Sequence, residues 1–237
     1  MARDFDKNVS NYMSLGTGTT GAILNGAAAI SVSARVIADT LDTGDFDNRI
    51  LNLIVNGGGA GVYLGVKGDV SPKVLKVGGR SVTGDAFQER NGTVEITTAT
   101  LHTLGGVLNF TGDTITPYVD GVADNGGAAT FGNNTYTYGT ATSPDNIGGS
   151  GAPPSGTSIQ WDGPVAEIGI WTSALSAADF AALHKGVSPL LIQPQSLAIY
   201  IPMIGKYSPE IDIVGGLSGT ITGTIATLSH PLVIRAF

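Results

Sequence analysis

Apolar and polar residues alternate with a period of two along much of the chain, which is the pattern of half-buried β-strands. Residues 30–38, ISVSARVIA, show it most clearly. Residues 49–59 and 62–69 repeat it around a turn rich in Asn and Gly, which predicts a β-hairpin. Further strands are predicted at 73–79, 92–101, 106–113, 114–122, 163–171, 196–205 and 219–228. Short strands with frequent turn signals are typical of a β-sandwich or a β-barrel.

A different pattern marks residues 173–186, SALSAADFAALHKG. Ser176 is a favourable N-cap residue, and Asp179 follows three positions later, as in a capping box with Asp in place of Glu. Ala-rich residues come next, and Gly186 supplies a C-terminal stop. The segment predicts one helix of about two turns, and we expect it to be the only helix of the chain.

The composition supports a folded, β-rich chain with many tight turns. Of 237 residues, 35 are Gly, 42% are hydrophobic and only 13% are charged. Disordered chains are rich in charge and poor in apolar residues, so the high glycine content indicates turns here. The length is ordinary for one all-β domain, and we predict a single domain over residues 1–237.

Charge and residue usage exclude several classes of function. The net charge is −7 and the 12 Lys and Arg residues are scattered, so we expect no nucleic-acid partner. The absence of Cys excludes disulfides, thiolate metal ligands and a cysteine nucleophile. No apolar run reaches the roughly 18 residues of a membrane span, and the N-terminus lacks the apolar core of a secretory signal. We therefore expect no membrane segment and no signal peptide.

Three segments, in order along the chain, resemble those of one known family. They are FDKNVSNYMSLG at 5–16, TPYVDGV at 116–122 and WDGPVAEIGIWTSALSAADFAALHKG at 161–186. Together they resemble the laminin-G-like branch of the concanavalin A-like lectin and glucanase sandwiches. The resemblance implies an all-β jelly-roll sandwich with one short α-helix, whose main signature lies in residues 1–187.

The C-terminal tail, residues 188–237, resembles the stretch that usually opens such domains. AIYIPMIG at 198–205 is followed by Asp212, Gly215 and Gly216 in the familiar order. Because this stretch comes last here, the sandwich looks permuted, with the tail completing it. The tail is also similar to small proteins encoded among the virion genes of tailed phages and prophages.

The stretch PEIDIVGG places Glu210 and Asp212 two residues apart, on one face of a strand. The glucanase branch of the resembled family uses three acids in such a stretch, the first as nucleophile and the last as acid/base. The third acid would fall at Val214 or Gly215, and residues 213–237 contain no Asp or Glu. Without a proton donor the leaving group is not activated. We therefore predict no catalytic residues, with the pair facing solvent or capping a turn.

Asp42, Asp45 and Asp47, with Asp39 nearby, form an acidic cluster of the kind that calcium prefers. Their spacing does not match an EF-hand loop, so calcium binding stays open and a solvated loop is the expected alternative. The three histidines are far apart in sequence and are expected to be packed or surface residues; they are His102, His184 and His230. We predict no metal site and no cofactor.

Two tryptophans flank the strand predicted at 163–171. Trp171 alternates with Ile168 and Ile170, which predicts packing in the core. Trp161 adjoins a polar stretch, so a core position and an exposed position at a sugar site are both open. The polar, Gly-rich residues 124–158 are interpreted as a surface loop or, alternatively, as a contact or ligand loop.

Two functions follow from the resemblance. The first is a structural virion protein of a tailed phage, a capsid decoration, cement or accessory subunit that acts as a non-catalytic interaction module. Its partners would be the major capsid protein or other virion proteins, its location the virion after synthesis in the host cytoplasm, and its assembly a homo-oligomer, with a trimer expected from capsid symmetry. The alternative is a carbohydrate-binding, lectin-like module that recognises host or environmental glycans.

Overall fold

The computed structural model describes residues 2–7, 11–42, 47–54, 60–139, 144–149, 160–205 and 208–231. In these residues two antiparallel β-sheets pack face to face, which confirms the predicted all-β sandwich. No helix in this part of the chain is long and apolar enough to cross a membrane.

Among the described strands, nine form sheet A in the order β10-β9-β8-β3-β13-β1-β17, with β11 beside β9 and β14 beside β13. They are β1 (Ala2–Phe5), β3 (Ala29–Ile37), β8 (Leu101–Asn109), β9 (Thr114–Val119), β10 (Val122–Ala123), β11 (Gly127–Ala128), β13 (Gly163–Trp171), β14 (Leu197–Ile201) and β17 (Ala226–Leu228). Another eight form sheet B in the order β15-β16-β2-β12-β4-β5-β6-β7. They are β2 (Tyr12–Thr17), β4 (Asp47–Ile54), β5 (Gly61–Lys67), β6 (Val74–Arg80), β7 (Gln88–Glu95), β12 (Pro144–Ile147), β15 (Glu210–Ile211) and β16 (Ser218–Thr222).

The core lies between the two sheets and is built by the alternation that predicted the strands. In β5, Val62, Leu64 and Val66 are fully buried in this core, so Tyr63 between two of them points to the outer face of sheet B. Ile30 is one of the residues that sheet A contributes from the opposite side. Full burial of each such aliphatic side chain stabilises the fold by roughly 1.5–3 kcal/mol.

In the first part of the chain, the observed strands match the predicted ones with one exception. The strands predicted there appear as β3 to β6, while the Asn- and Gly-rich turn between β4 and β5 lies outside the described residues. The strand predicted at 92–101 is wrong, because β7 ends at Glu95 and β8 begins at Leu101. Between them the chain turns at Ala99, which has a φ of 56° and donates a backbone hydrogen bond to Ala38.

The predicted helix is α2 (Ala177–His184), and its capping box is present. The Asp179 backbone N–H donates to the Ser176 hydroxyl at 3.2 Å, and the Ser176 N–H donates to the Asp179 carboxylate at 2.8 Å. These two bonds satisfy donors that every helix N-terminus otherwise leaves free, which explains why so short a helix begins where it does.

A six-residue helix, α1 (Thr19–Leu24), adds to the one that the pattern predicted. Its sequence offers little helical preference, since it contains a glycine and two threonines and has no side-chain cap. Tertiary contacts hold it instead: the Thr20 hydroxyl donates to Asp145, and Gly21 lies so close to the Tyr138 ring that a Cβ would be 2.1 Å from it. Local propensity could not reveal these contacts.

The outer face of sheet A is covered by α2 and by a 3₁₀ turn at Pro189–Leu191. The ring of Phe180 stacks on Tyr118 with the centroids 3.9 Å apart and the planes at 11°. Trp171 is fully buried below this layer and donates its Nε1 hydrogen to the Ile192 carbonyl at 2.7 Å. This apolar layer confirms the core position predicted for Trp171.

The C-terminal strands enter both sheets: β14 pairs with β13, β17 with β1, and β16 with β2. Beyond β17, His230 Nε2 lies 2.8 Å from the Pro202 carbonyl and 3.0 Å from Glu167. Burial alone would lower the pKa of His230, but its bonds to Glu167 and to two carbonyls outweigh burial and raise it. The permuted order and the division at residue 187 stay predictions.

One carboxyl group, Asp145, is buried on the core side of β12 at 2% exposure. Burial raises the pKa of Asp145 to about 6, although the hydrogen bonds that it accepts from Thr20 oppose the rise. An Asp in an unfolded chain has a pKa of about 3.9. The folded state therefore holds a proton between about pH 4 and 6 that the unfolded state has released, and its stability falls as the pH rises through this range.

We expect Asp145→Asn to remove this pH dependence. At about pH 8 the variant should be more stable than the wild type by about 2–3 kcal/mol, and near pH 4 the advantage should disappear. Chemical denaturation at several pH values measures the effect. Asp69→Asn, at a surface site beside Lys67, is the control and should keep the wild-type pH slope. An unchanged slope in Asp145→Asn would contradict the assignment.

Candidate functional site

A row of mostly polar residues crosses the outer face of sheet B. The residues are direct register partners on neighbouring strands, so their side chains share one face. From β16 to β7 the row contains Thr220, Ser14, Asn146, Asn52, Tyr63, Gly78 and Glu89. Alternation confirms that the row faces away from the core, because Leu51 and Leu53, on either side of Asn52, are both in the core.

The Tyr63 ring lies near the middle of this row and is 1% exposed. It lies over Gly65, where an added Cβ would be 3.1 Å from the ring. Above it, Arg49 Cζ is 5.3 Å and Lys76 Nζ is 5.7 Å from the ring centroid, within the range of cation–π contacts. The aromatic ring is therefore enclosed by two long, flexible cationic side chains and by a glycine that leaves room for it.

Three buried polar atoms on this face of sheet B make no hydrogen bond to any described residue. They are Arg49 Nε, Asn146 Oδ1 and Gln160 Oε1. The Tyr63 hydroxyl faces the Asp47 carboxylate, and a hydrogen bond between the two helps to raise the pKa of Tyr63. Gln160 joins the group because it forms a β-bridge with Arg49. An unpaired buried polar atom costs about 1–3 kcal/mol, and native structures usually pair such atoms with water, an ion or a ligand. We call Arg49, Asn52, Tyr63, Lys76, Asn146 and Gln160 the Tyr63 cluster.

The two cations of the Tyr63 cluster differ in their partners. Lys76 Nζ lies 3.0 Å from Asp47 and 2.8 Å from Glu89. Burial alone would lower the pKa of Lys76, but these two carboxylates outweigh it and raise that pKa. Burial, with the nearby Asp47 carboxylate, also raises the pKa of the Tyr63 hydroxyl, which is therefore protonated and able to donate. Arg49, in contrast, forms no ion pair within the described residues.

The sequence of the chain matches one family profile over residues 7–181, that of the concanavalin A-like lectin/glucanases superfamily in its laminin-G form. The chain belongs to this superfamily. None of the curated proteins compared with the chain matches it. The match contains the three segments whose resemblance predicted this family, apart from two residues at the N-terminal end and five at the C-terminal end.

Solved structures show the same superfamily fold at low sequence identity. A candidate carbohydrate-binding protein from Bacteroides ovatus is 19% identical with a TM-score of 0.67, and the match covers 99% of this chain and 61% of that one. The SAP-like pentraxin of Limulus polyphemus is 14% identical with a TM-score of 0.56, covering 77% and 81%. The carbohydrate-binding module CBM40 of a Ruminococcus gnavus sialidase, solved with α2,3-sialyllactose, is 8% identical with a TM-score of 0.57, covering 78% and 96%.

The carboxylate pair that suggested a glucanase of this superfamily is buried, so the expectation that it faces solvent is wrong. Glu210 accepts from Arg3 at 2.7 Å and from the Gly205 N–H at 2.8 Å. Asp212 accepts from the Tyr200 N–H at 2.8 Å and from the Val214 N–H at 3.0 Å, which confirms a turn-capping role. Both carboxylates hold the end of the tail in place, because β15 and the turn after it have few other contacts.

The acidic residues predicted to cluster have separate partners where they are described. Asp42 pairs with Lys7 at 2.7 Å, Asp47 pairs with Lys76, and Asp45 lies outside the described residues. Asp39 instead joins three acids that are distant in sequence, at a polar cavity of about 400 Å³; these are Asp4, Asp6 and Asp162. Burial first, and then the neighbouring carboxylates, raise the pKa of Asp39 and of Asp4. No group of three or more acidic or His side chains in the described residues is placed to hold a metal ion.

The histidines and Trp161 are also in places that the sequence did not show. His102 is buried and lies 2.8 Å from Asp120, which is also 3.6 Å from His184, because the turn after β9 packs against α2. Trp161 is fully buried in the core between the sheets and offers no stacking surface for a sugar.

The long stretch 124–158 contributes to the core where it is described. Phe131 and Tyr136 are buried in it, and the Phe131 ring meets Phe110 edge-on at 4.9 Å. Residues 140–143 and 150–158 lie outside the described residues. Most other residues of 124–139 are exposed, as expected of a surface loop, and the two aromatic residues anchor the loop to the core. A ligand role for the stretch stays a prediction.

Sequence patterns did not reveal the Tyr63 cluster. Each of its strand residues occupies an ordinary polar position of an alternating strand, so nothing local marks Asn52, Tyr63 or Lys76 as special. The signal that could have helped is the pair of glycines, Gly65 and Gly78, next to a tyrosine on the same face. Strand glycines often mark a site where a ring or a ligand approaches closely.

A pair of matched substitutions compares the hydroxyl groups of two buried tyrosines. Tyr63→Phe should lower the free energy of unfolding by about 1 kcal/mol or less, because Asp47, the partner of the hydroxyl, keeps its ion pair with Lys76. Tyr200→Phe, at an equally buried ring whose hydroxyl donates to Glu167 at 2.6 Å, should lower it by about 1–3 kcal/mol. Chemical denaturation compares the two. Equal destabilisation by both variants would contradict the weaker bond assigned to Tyr63.

Proposed function

We propose that this chain is a non-catalytic carbohydrate-binding module whose binding site is the Tyr63 cluster on the outer face of sheet B. The observation that carries the proposal is the set of three buried polar atoms, Arg49 Nε, Asn146 Oδ1 and Gln160 Oε1, without a protein partner in the described residues. They include donors and acceptors on adjacent strands, which lie about 4.8 Å apart. This spacing suits the hydroxyl groups around one or two sugar rings.

The chemistry of the Tyr63 cluster fits the hydroxyl groups of a sugar. Side-chain amides and a phenol can exchange hydrogen bonds with hydroxyl groups. Arg49 and Lys76 lie over the Tyr63 ring, so the polar groups, and not the face of the ring, would meet the sugar. On sheet A, by contrast, α2 and the 3₁₀ turn cover the outer side around Tyr118 and Trp171 with apolar residues.

The non-catalytic part of the proposal rests on the fate of the two acids that resembled a glucanase pair. Glu210 and Asp212 are both 1% exposed, and their oxygens accept hydrogen bonds from Arg3 and from backbone N–H groups. A general acid must hold a proton and reach the leaving group, and neither carboxylate is free to do so. The described relatives with carbohydrate-binding names support the proposal at the level of fold.

Binding measurements test the proposal directly. We expect the purified chain to bind at least one polysaccharide on a glycan array, and calorimetry with that glycan to show a loss of about three- to tenfold in affinity for Tyr63→Phe, the value of one neutral hydrogen bond. Tyr118→Phe, on the covered face of sheet A, is the control and should bind as the wild type does. Absence of binding to any glycan, or equal losses in both variants, would contradict the proposal.

A role in a tailed-phage virion is a second candidate function. It rests on the resemblance of the tail, with the major capsid protein or another virion protein as partner and a homo-oligomer, a trimer, as the assembly. One observation supports a protein partner: Ile211, Ile213 and Val214 are 54%, 52% and 40% exposed at the edge strand β15 of sheet B. Exposed aliphatic residues on a sheet edge are typical of a contact with another chain.

Mass spectrometry of purified particles tests the virion role. We expect the chain to be present at a fixed ratio to the major capsid protein, with the particles as its main location in an infected culture. Host cytosolic proteins of similar abundance serve as the control for carry-over and should decline with each purification step. A chain that declines together with them is not a virion component.

A further inference from the structure

We infer that the glycan bound by the Tyr63 cluster is acidic, and that Arg49 holds a sugar carboxylate through its free guanidinium edge. The inference rests on the proposed carbohydrate-binding function and names the class of its ligand. It follows from the partners of Arg49, from the geometry of its free edge and from the neutral groups around it.

Arg49 is a cation without an acidic partner among the described residues. Its Nη1 donates to the Asn52 side-chain oxygen at 3.2 Å, and its Nε is buried and unpaired. The chain has 19 acidic and 12 basic residues, so acids are in excess and partners are plentiful. Arg3 and Lys7 each pair with a carboxylate at 2.7 Å. No acid of the described residues takes this place beside Arg49, so we assign it to an anion of the ligand.

The free edge of Arg49 has the right shape for a carboxylate. With Nη1 bonded to Asn52, the N–H groups of Nε and Nη2 lie side by side on the other edge of the planar group. This edge matches the two oxygens of a carboxylate and allows two parallel hydrogen bonds. A spherical ammonium group could supply the charge but not the paired geometry.

The neighbours of Arg49 add recognition of sugar hydroxyls. Gln160 bridges to Arg49, and Asn146 is the register partner of Asn52 on the next strand. The free side-chain oxygens of Gln160 and Asn146 accept hydrogen bonds, which suits hydroxyl groups and excludes a second anion beside them. A sugar acid presents one carboxylate and several hydroxyls at this spacing.

Among the described charges on this face, only that of Arg49 is available to bind an anionic sugar. Lys76 is neutralised by Asp47 and Glu89, so it offers no net positive charge to a ligand. Asp47 also repels an anion that approaches Tyr63. Selectivity for an acidic sugar should therefore depend on one residue, which makes the inference easy to test.

The experiment compares uronic acid polysaccharides with their carboxyl-reduced forms, in which each carboxylate has become a primary alcohol. Polygalacturonate, alginate and a glucuronan, each with its reduced partner, are titrated into the full chain by calorimetry. We expect at least one acid form to bind about tenfold or more tightly than its reduced partner, because the reduced form loses a charge-assisted pair of hydrogen bonds. This preference should shrink as salt is added, since the contact is electrostatic.

Two substitutions of Arg49 and one control complete the test. Arg49→Gln should abolish the preference and bind both forms like the reduced one, and Arg49→Lys should recover only a small part of it, because lysine lacks the paired N–H edge. Lys67→Gln removes a positive charge elsewhere in sheet B, where Lys67 lies 3.6 Å from Asp69, and should keep the preference. Thermal melting shows that each variant is folded.

The outcomes separate this inference from the proposed function. If the reduced glycans bind as well as the acids, or if Arg49→Gln keeps the preference, the inference is overturned while carbohydrate binding stands. If a sulfated glycan binds more tightly than every uronate and Arg49→Lys retains that binding, a carboxylate is the wrong anion. If neither acidic nor neutral glycans bind, the proposed function fails together with the inference.

Discussion

Strand β13 is buried along all nine of its residues, and the arrangement of the rest of the structure depends on the partners that it pairs with. It lies between β3 and β1 in sheet A, and it also pairs with β14 from the C-terminal tail. A strand buried on both faces needs a cover on each side. Sheet B supplies one cover, and the layer of α2 and the 3₁₀ turn supplies the other. The three-layer body is the consequence of this one strand.

This layering decides where a polar site can exist. On sheet A, Trp171 of β13 and Leu197 and Tyr200 of β14 are covered by the layer that contains Phe180, Leu183 and Ile192. Sheet B has no such cover of helix in the described residues, and its outer face is polar from Thr220 to Glu89. Buried polar atoms without a protein partner, such as Arg49 Nε, oppose folding unless water or a ligand meets them. Local conflicts of this kind are expected at functional sites, where recognition is favoured over stability.

Buried ionisable groups follow the same division between structure and site. Glu167, Glu210 and Asp212 are buried in sets of hydrogen bonds that join the tail to the rest of the sandwich. His230 adds to this join, since its ring nitrogens face Glu167 and two carbonyl groups. In the sequence, Glu210 and Asp212 resemble catalytic groups. In the fold, all three carboxylates stabilise the packing of the tail. The Tyr63 cluster lies apart from these ties, on the outer face of sheet B.

The amino-acid pattern by itself determined the all-β class, most strands from β3 to β6, and the position of α2, because alternation and capping are local properties. It could not determine α1, whose contacts with Asp145 and Tyr138 come from residues more than a hundred positions away. Only the tertiary structure aligned Asn146, Asn52 and Tyr63 on one face, since strand register depends on pairing between distant segments. The same long-range pairing brought Asp39 together with Asp4, Asp6 and Asp162, which are distant in sequence.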